Sequence, residues 1–444
     1  MAVGNVWGIE LDPRPATDRS SRISDLVCFL PIPFATLQFG PYPLNESLAI
    51  VSLFFAFTRS PRFRSTAGVL QLLAVLWLFL LYSGLANGDV GVRRMGHLAL
   101  YVAIFLAFAQ ERYDLRTVSR ALGIGVVIAA IASAPSVFAQ GGYGGRLAGL
   151  AGDPNQAGMM IATLTPLALA GTTHRVWRWT VGLVGMAAVI LTLSRTTLLA
   201  LAFVLFWVLI GRRWHVLVGA VSVYLLGLLV VPQLEALKHY GIFKERVGSD
   251  ELRLRIEAAV DAKLTNMPWY GHGPGSAMVN LTDELRFFFH DSYKALICEG
   301  GYVALALFLL IVGIVAYRAA TVPKGWRNPW LEASLGAILI CALNLGEVLL
   351  DLPMAICLGW LARHAAWARA EAPILAARQR EKAAAAAPTR PQRLPQRAIA
   401  ASAADPIAQR LAEPELVDAQ VAPRRALPPV AADVDESARS DPDR

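Results

Sequence analysis

AGVLQLLAVLWLFLLYSGL, residues 67–85, decides the fold. It carries no charged side chain, and as a helix it can cross the hydrocarbon layer of a bilayer, which takes roughly 17 to 25 residues. Similar runs recur from about Asp25 to about Ala365. The chain of 444 residues is 55% hydrophobic and 17% charged, with mean hydropathy +0.47, more apolar than one soluble core requires. The expected fold is all-α: a polytopic integral membrane protein with about twelve transmembrane helices. The candidate spans are 24–39, 44–57, 67–85, 95–110, 118–138, 154–171, 176–193, 195–211, 214–231, 297–317, 330–345 and 347–365.

Charge orients these spans. With the N-terminus inside, the short inner connectors hold Arg59, Arg62 and Arg64; Arg112, Arg116 and Arg120; Arg175 and Arg178; Arg212 and Arg213; and Arg318, Lys324 and Arg327. The short outer connectors hold only Arg93, Arg94, Arg146 and Arg195. The positive-inside rule therefore places both termini in the cytoplasm, and each outer arginine becomes an exception that invites a functional explanation. The net charge of +8 is accounted for by these connectors, so nucleic acid is not an expected partner, whereas membrane lipids are. Residues 1–21 lack an apolar core for a cleavable signal, so the first span is expected to direct insertion. Cys28, Cys298, Cys341 and Cys357 form no metal-binding spacing; neither disulfide, zinc nor another cofactor is expected.

The expected organisation is a cytoplasmic N-terminus (1–23), nine spans (24–231), a large outer loop (232–296), three spans (297–365) and a disordered cytoplasmic tail (366–444). The loop is too long for a mere connector. A helix is expected from Asp250 to Lys263, with Leu254, Ala258 and Val260 as a weak apolar face. The tail is rich in alanine and proline and cannot bury enough apolar surface to order itself.

Four outer stations carry the residues suited to chemistry. GGYGGRLAGLAGDPNQAG, residues 141–158, combines a glycine-rich segment and Arg146 with Asp153-Pro154-Asn155, a helix start in which Asp153 caps and Pro154 opens the first turn. A guanidinium beside backbone N–H groups can hold an anion. Arg195, in Ser194-Arg195, lies where two spans meet in an outer turn; it can snorkel to headgroups or serve a site. In the large loop, Arg253 and Arg255 precede Asn266–Gly275, where Trp269 offers an interfacial anchor or a sugar-stacking platform. Pairing with Glu251 or Glu257 is the plainer reading of both arginines. Last come His290, Asp291 and Tyr293, with Glu299-Gly300-Gly301 about two turns on. A histidine at a membrane rim beside an acid can act as a base near neutral pH. Several cations and one titratable base on one membrane face suit transfer from a lipid-linked diphosphate, since guanidinium groups bind phosphate in forked geometry and offset charge developing on the leaving group.

In order, the stations resemble the O-antigen ligase and O-antigen polymerase superfamily of bacterial surface-polysaccharide assembly. Its pattern of R-x-x-G leading to DPN, an SR turn, R…P-x-x-G-x-G and H-N-x-Y…E-x-G reads here as Arg146 to Gly149 with Asp153-Pro154-Asn155; Ser194-Arg195; Arg253 with Pro268 to Gly273; and His290-Asp291-Ser292-Tyr293 to Glu299-Gly300-Gly301. Asp291 departs from the usual Asn, and an Asp there could orient His290 or raise its basicity. The resemblance covers roughly residues 140–320. It implies a metal-independent, inverting glycosyltransferase of the membrane-embedded type in the bacterial inner membrane, with its active site on the periplasmic or extracellular face. The donor would be an undecaprenyl-diphosphate-linked glycan and the acceptor another glycan or lipid A–core. Arg146, Arg195 and Arg253 would hold the diphosphate and His290 would act as base, with Arg255 a further candidate. Asp153, Asn155, Trp269, Asp291, Tyr293 and Glu299 would line the substrate site. Ligase and polymerase differ only in acceptor. The competing class is a transporter or flippase of lipid-linked oligosaccharide, which would use ionisable residues at mid-bilayer; Asp25, Glu46, Glu347 and Asp351 are the candidates for that, and all sit near expected helix ends.

Overall fold

The computed structural model describes residues 22–370, apart from 35, 40, 41, 63–66, 140–144, 211–246 and 282–284, together with Ile374, Ala377 and Glu381. Met1–Gln379 form one compact unit and Arg380–Arg444 a second. The expected span 214–231, the first part of the glycine-rich station, most of the N-terminal segment and most of the tail lie outside the described residues.

The described part of the first unit is helical: α1 (Ile23–Phe29), α2 (Leu44–Phe57), α3 (Ala67–Ala86), α4 (Val92–Ala109), α5 (Leu115–Ser133), α6 (Pro154–Ala170), α7 (Arg175–Leu191), α8 (Arg195–Leu209), α9 (Val247–Thr265), α10 (Ser292–Ala320), α11 (Pro329–Cys341) and α12 (Leu352–Ala370). Two short antiparallel hairpins join them, β1 (Gln38–Phe39) with β2 (Tyr42–Pro43), and β3 (Met278–Asn280) with β4 (Arg286–Phe288). Among the described residues, four helices are long and apolar enough to cross a membrane: residues 68–86, 92–109, 115–137 and 292–320, the third counting the 3-10 turn after α5. Apolar helices α2, α8 and α11 are shorter. Phe54, Leu78 and Tyr302 point outward, as membrane helices require.

Local chemistry explains the boundaries. Pro154 opens α6 behind the Asp153 cap, and Pro329 opens α11 behind Asn328, whose side chain accepts from Trp330 N at 3.2 Å. The first expected span fails: instead of a helix over 24–39, α1 ends at Phe29, because Pro31 and Pro33 stop it and the chain turns into β1. At the other end α12 runs on through Ala370, past the expected tail boundary, because Trp367 is fully buried and stacks edge-on with Trp326 at 5.4 Å. Helix α11 packs on α6 and α8, α12 on α4, and α10 on α3 and α12.

The expected loop helix exists as α9, but its inward face differs from the one read in sequence. Leu254 is 65% exposed, while Ile256 and Val260, four residues apart, are buried against Ala277, Val279, Phe289 and Cys298. Thus α9, the β3–β4 hairpin and the start of α10 share a small core of their own.

Candidate functional site

That small core fixes His290. Its neighbour Phe289 is buried, and Phe289 N donates to Ala277 O at 3.1 Å, extending the hairpin ladder. On the other side, Asp291 caps α10, accepting from Tyr293 N at 2.8 Å and Lys294 N at 3.1 Å. Ser292 is tied to a third segment, with Ser292 N donating to Ala342 O at 2.9 Å and Val348 N donating to Ser292 Oγ at 2.9 Å. The backbone at Gly346 passes so close to Phe289 O that a Cβ there would lie 2.0 Å from it. His290 therefore stands on a rigid pedestal.

Its electrostatic neighbours come from two distant parts of the chain. Burial and the Arg253 guanidinium lower the His290 pKa below its usual 6.5, against the opposing pull of the Asp153 and Glu257 carboxylates. At neutral pH the imidazole is unprotonated and able to accept a proton. Arg253 reaches it because it lies three residues before Ile256 and seven before Val260, on the face of α9 that meets the hairpin. Burial raises the Asp291 carboxyl pKa, with its two backbone hydrogen bonds opposing the rise. Its carboxylate serves the helix cap, which accounts for an acid at this position without a direct part in orienting His290.

Asp153 links this pedestal to the other stations. It accepts from Gln156 N at 3.1 Å and from Asn155 Nδ2 at 3.4 Å. Asn155 Oδ1 in turn accepts from Arg146 Nη2 at 3.4 Å, and Arg146 Nε donates to Thr192 O at 2.9 Å. Leu147 N donates to Leu191 O at 2.9 Å, so the Arg146 segment lies along the turn that delivers Ser194 and Arg195. In that turn Leu193 holds φ +52°, a left-handed backbone that a bulky residue adopts only under constraint, and such strain gathers at functional turns. Arg195 is the first residue of α8.

The other expected site residues are placed differently. Arg255 is exposed and pairs with Glu251 across one turn, Nη2 to Oε1 at 2.6 Å, the plainer of its two readings. Trp269 sits with Phe79, Tyr82 and Tyr270, at ring distances of 6.1, 6.3 and 5.5 Å, and remains 62% exposed. Tyr293 donates its hydroxyl to Leu339 O at 3.0 Å. Glu299 is buried, 3.2 Å from Arg94 Nε, and its Oε1 accepts from Gly275 N at 2.9 Å.

Glu299 stands at a break in α10. Gly300 and Gly301 leave helical geometry, Gly301 with φ +66° and ψ −177°, a conformation essentially confined to glycine. The carbonyls freed there are met by the Pro268–Gly275 loop: His272 N donates to Cys298 O at 2.7 Å, and Gly273 N to Glu299 O at 3.1 Å. Ser83 Oγ also donates to Glu299 O at 2.9 Å. Glycine, proline and acid thus form one clamp between the loop and α10.

Sequence reasoning missed the partners of this clamp. Arg94, noted only as an outer exception, also lies 3.5 Å from Glu347. Nearby on α4, His97 Nε2 is 3.2 Å from Glu46, and the Tyr101 hydroxyl donates to Glu46 Oε1 at 3.3 Å. Arg94 and Glu299 are 205 residues apart in the chain and Glu347 lies farther still, so no local pattern reveals them. Of the remaining acids weighed for transport, Asp25 pairs with Arg59 at 2.7 Å and Asp351 accepts from Leu352 N at 2.7 Å.

Residues 180–309 match the O-antigen ligase family. The matched segment contains Arg195, Arg253, His290 and Glu299, while Arg146, Asp153 and Asn155 precede it. The match supports the O-antigen ligase and polymerase superfamily for this chain, and with the apolar helices it points to a membrane protein of polysaccharide assembly that transfers glycosyl groups between a lipid-linked glycan and an acceptor. No curated protein matches the chain.

Proposed function

We propose that this protein moves a glycan from an undecaprenyl-diphosphate-linked donor to a sugar hydroxyl, at the outer face of the bacterial inner membrane, as an O-antigen ligase or repeat-unit polymerase. One observation carries the reading: Arg253 and Asp153 both bear on His290, while Arg146 bonds both the helix start that holds Asp153 and the turn that presents Arg195. The loop helix and the start of α6 thereby act on one imidazole, and Arg146 ties that helix start to the outer turn.

In this mechanism His290 takes the proton of the acceptor hydroxyl as its oxygen attacks the anomeric carbon from the face opposite the diphosphate. The anomeric C–O bond breaks, and the electron pair leaves with the undecaprenyl diphosphate. Arg146, Arg195 and Arg253 offset the charge developing on that leaving group. Attack from the opposite face inverts the anomeric centre. The neutralisation is assigned to guanidinium groups, so the scheme calls on no metal ion. The site is assigned to the outer surface, where its arginines are exceptions to the positive-inside rule.

The test is reconstitution with a defined lipid-diphosphate donor and two acceptors, a second lipid-linked repeat unit and lipid A–core. His290→Ala and Arg195→Ala are each expected to abolish transfer while expression and insertion stay normal. Transfer at the usual rate by His290→Ala would remove the base from the scheme. In cells, deletion that leaves single repeat units on the carrier marks a polymerase, and long polymer that never reaches its anchor marks a ligase.

A further inference from the structure

The turn between α11 and α12 carries an acid with no part in the transfer scheme. Glu347 holds φ +61°, a left-handed backbone that glycine adopts freely and glutamate only under constraint. The constraint is the pedestal of His290. Gly346 packs on Phe289 O, and Ser292 Oγ donates to Leu345 O while accepting from Val348 N at 2.9 Å. Residues 346 and 348 thus grip the chain just before and just after His290, and Glu347 lies between them.

The Glu347 side chain, unlike its backbone, is not consumed by the scaffold. It is half exposed, and among the described residues its ion-pair partner is Arg94, whose Nη1 stands 3.5 Å away, beyond good hydrogen-bond range. Arg94 already has a closer partner in the buried Glu299, at 3.2 Å. Two carboxylates therefore face one guanidinium, and the exposed one is the surplus. Asp153 and Asp291 accept backbone N–H bonds at helix caps, whereas Glu347 keeps acceptor positions turned to solvent beside the base. A carboxylate so placed repels a diphosphate and accepts hydrogen bonds from sugar hydroxyls.

We infer that Glu347 binds hydroxyls of the acceptor's attacking sugar and so holds the reactive hydroxyl at His290. The contact is with that sugar, whether a diphosphate or lipid A anchors its far end. The word acceptor rests on the transfer reading above; the sugar contact rests on the turn itself.

The experiment uses the full chain in lipid nanodiscs and measures binding of three probes: lipid A–core, a lipid-linked repeat unit, and undecaprenyl diphosphate without sugar. Glu347→Gly should weaken the better-bound of the first two about tenfold, the effect of losing one hydrogen bond to a charged group, and leave undecaprenyl diphosphate unchanged. Its melting midpoint should hold or rise, because glycine accepts φ +61° freely. Glu347→Gln keeps an acceptor oxygen and should bind with intermediate affinity. In the transfer assay the acceptor KM should rise while the rate at saturating acceptor holds. Three results overturn the assignment: sugar-probe affinity equal in wild type and Glu347→Gly, a loss shared by all three probes with a fallen midpoint, or a rise confined to the donor KM. Wild-type protein that binds neither sugar probe better than undecaprenyl diphosphate also overturns it. Binding needs no turnover, so a normal transfer rate in His290→Ala would remove the base and leave this result standing.

Discussion

Gly301→Ala tests whether the break in α10 is built into the fold. At φ +66° and ψ −177° an alanine is strained by about 1–3 kcal/mol. Its Cβ would also stand 1.9 Å from Trp269 O, so the Pro268–Gly275 loop must lift. Lifting it breaks the bonds from His272 N to Cys298 O and from Gly273 N to Glu299 O, each contributing about 0.5–1.5 kcal/mol, and leaves Glu299 O with its Ser83 bond alone. The expected loss is roughly 3–5 kcal/mol. Gly313 provides the control, since it lies on the same helix with nothing within 4 Å of a Cβ; alanine there should be neutral or stabilise by up to about 1 kcal/mol. Thermal denaturation of the two purified variants, followed by tryptophan fluorescence, makes the comparison directly. Equal midpoints for Gly301→Ala and Gly313→Ala would refute the account of the kink.

Two substitutions should move the acid limb of the pH–rate profile in opposite directions. The His290 base works above its pKa and fails as pH falls through it; Arg253 lowers that pKa and Asp153 raises it, so Arg253→Gln should shift the limb upward and Asp153→Asn downward. Asn caps a helix as well as Asp, so the second variant keeps the start of α6, and a common direction for both would contradict the charge assignment. Glu299→Leu should cost roughly 3–5 kcal/mol by leaving Arg94 without its main partner, and adding Arg94→Met should restore much of that in the melting midpoint. Arg255→Ala should alter stability by less than about 1 kcal/mol and leave transfer unchanged, because its pair with Glu251 is exposed; loss of transfer would return Arg255 to the site.

Where the physics is local, the sequence was readable. The helix over 44–57 coincides with its expected span, and α3, α6, α7 and α8 end within about two residues of theirs, because apolar length, proline and capping residues act over a few positions. The first span misled because hydropathy counts Pro31 and Pro33 as neutral while the backbone treats them as stops. The inward face of α9 was misread because one weakly apolar helix offers several candidate stripes, and only the hairpin, brought in by tertiary packing, selects Ile256 and Val260. The Arg94–Glu299 pair was invisible for the same kind of reason, its two ends being read as separate anomalies.

The four stations mix two kinds of residue that a linear pattern cannot separate. Asp153 and Asp291 spend their carboxylates on helix caps, and Glu299 spends its own on Arg94 and the loop backbone. The acids of the pattern are therefore occupied in building, whereas the imidazole of His290 is left half-buried on its pedestal, facing Arg253 and Asp153. An acid holding a cap contributes to chemistry chiefly through its residual charge, as Asp153 does at His290, and that contribution survives only while the cap keeps it in place. It follows that isosteric amides at these acids should separate charge from scaffold. Asp153→Asn retains the cap and alters the pH dependence, whereas Asp153→Ala loses the cap as well, at about 0.5–2 kcal/mol, and releases the helix start to which Arg146 is bonded. A larger fall in transfer for alanine than for asparagine is the signature of that division, and equal falls would mean that Asp153 acts on substrate directly.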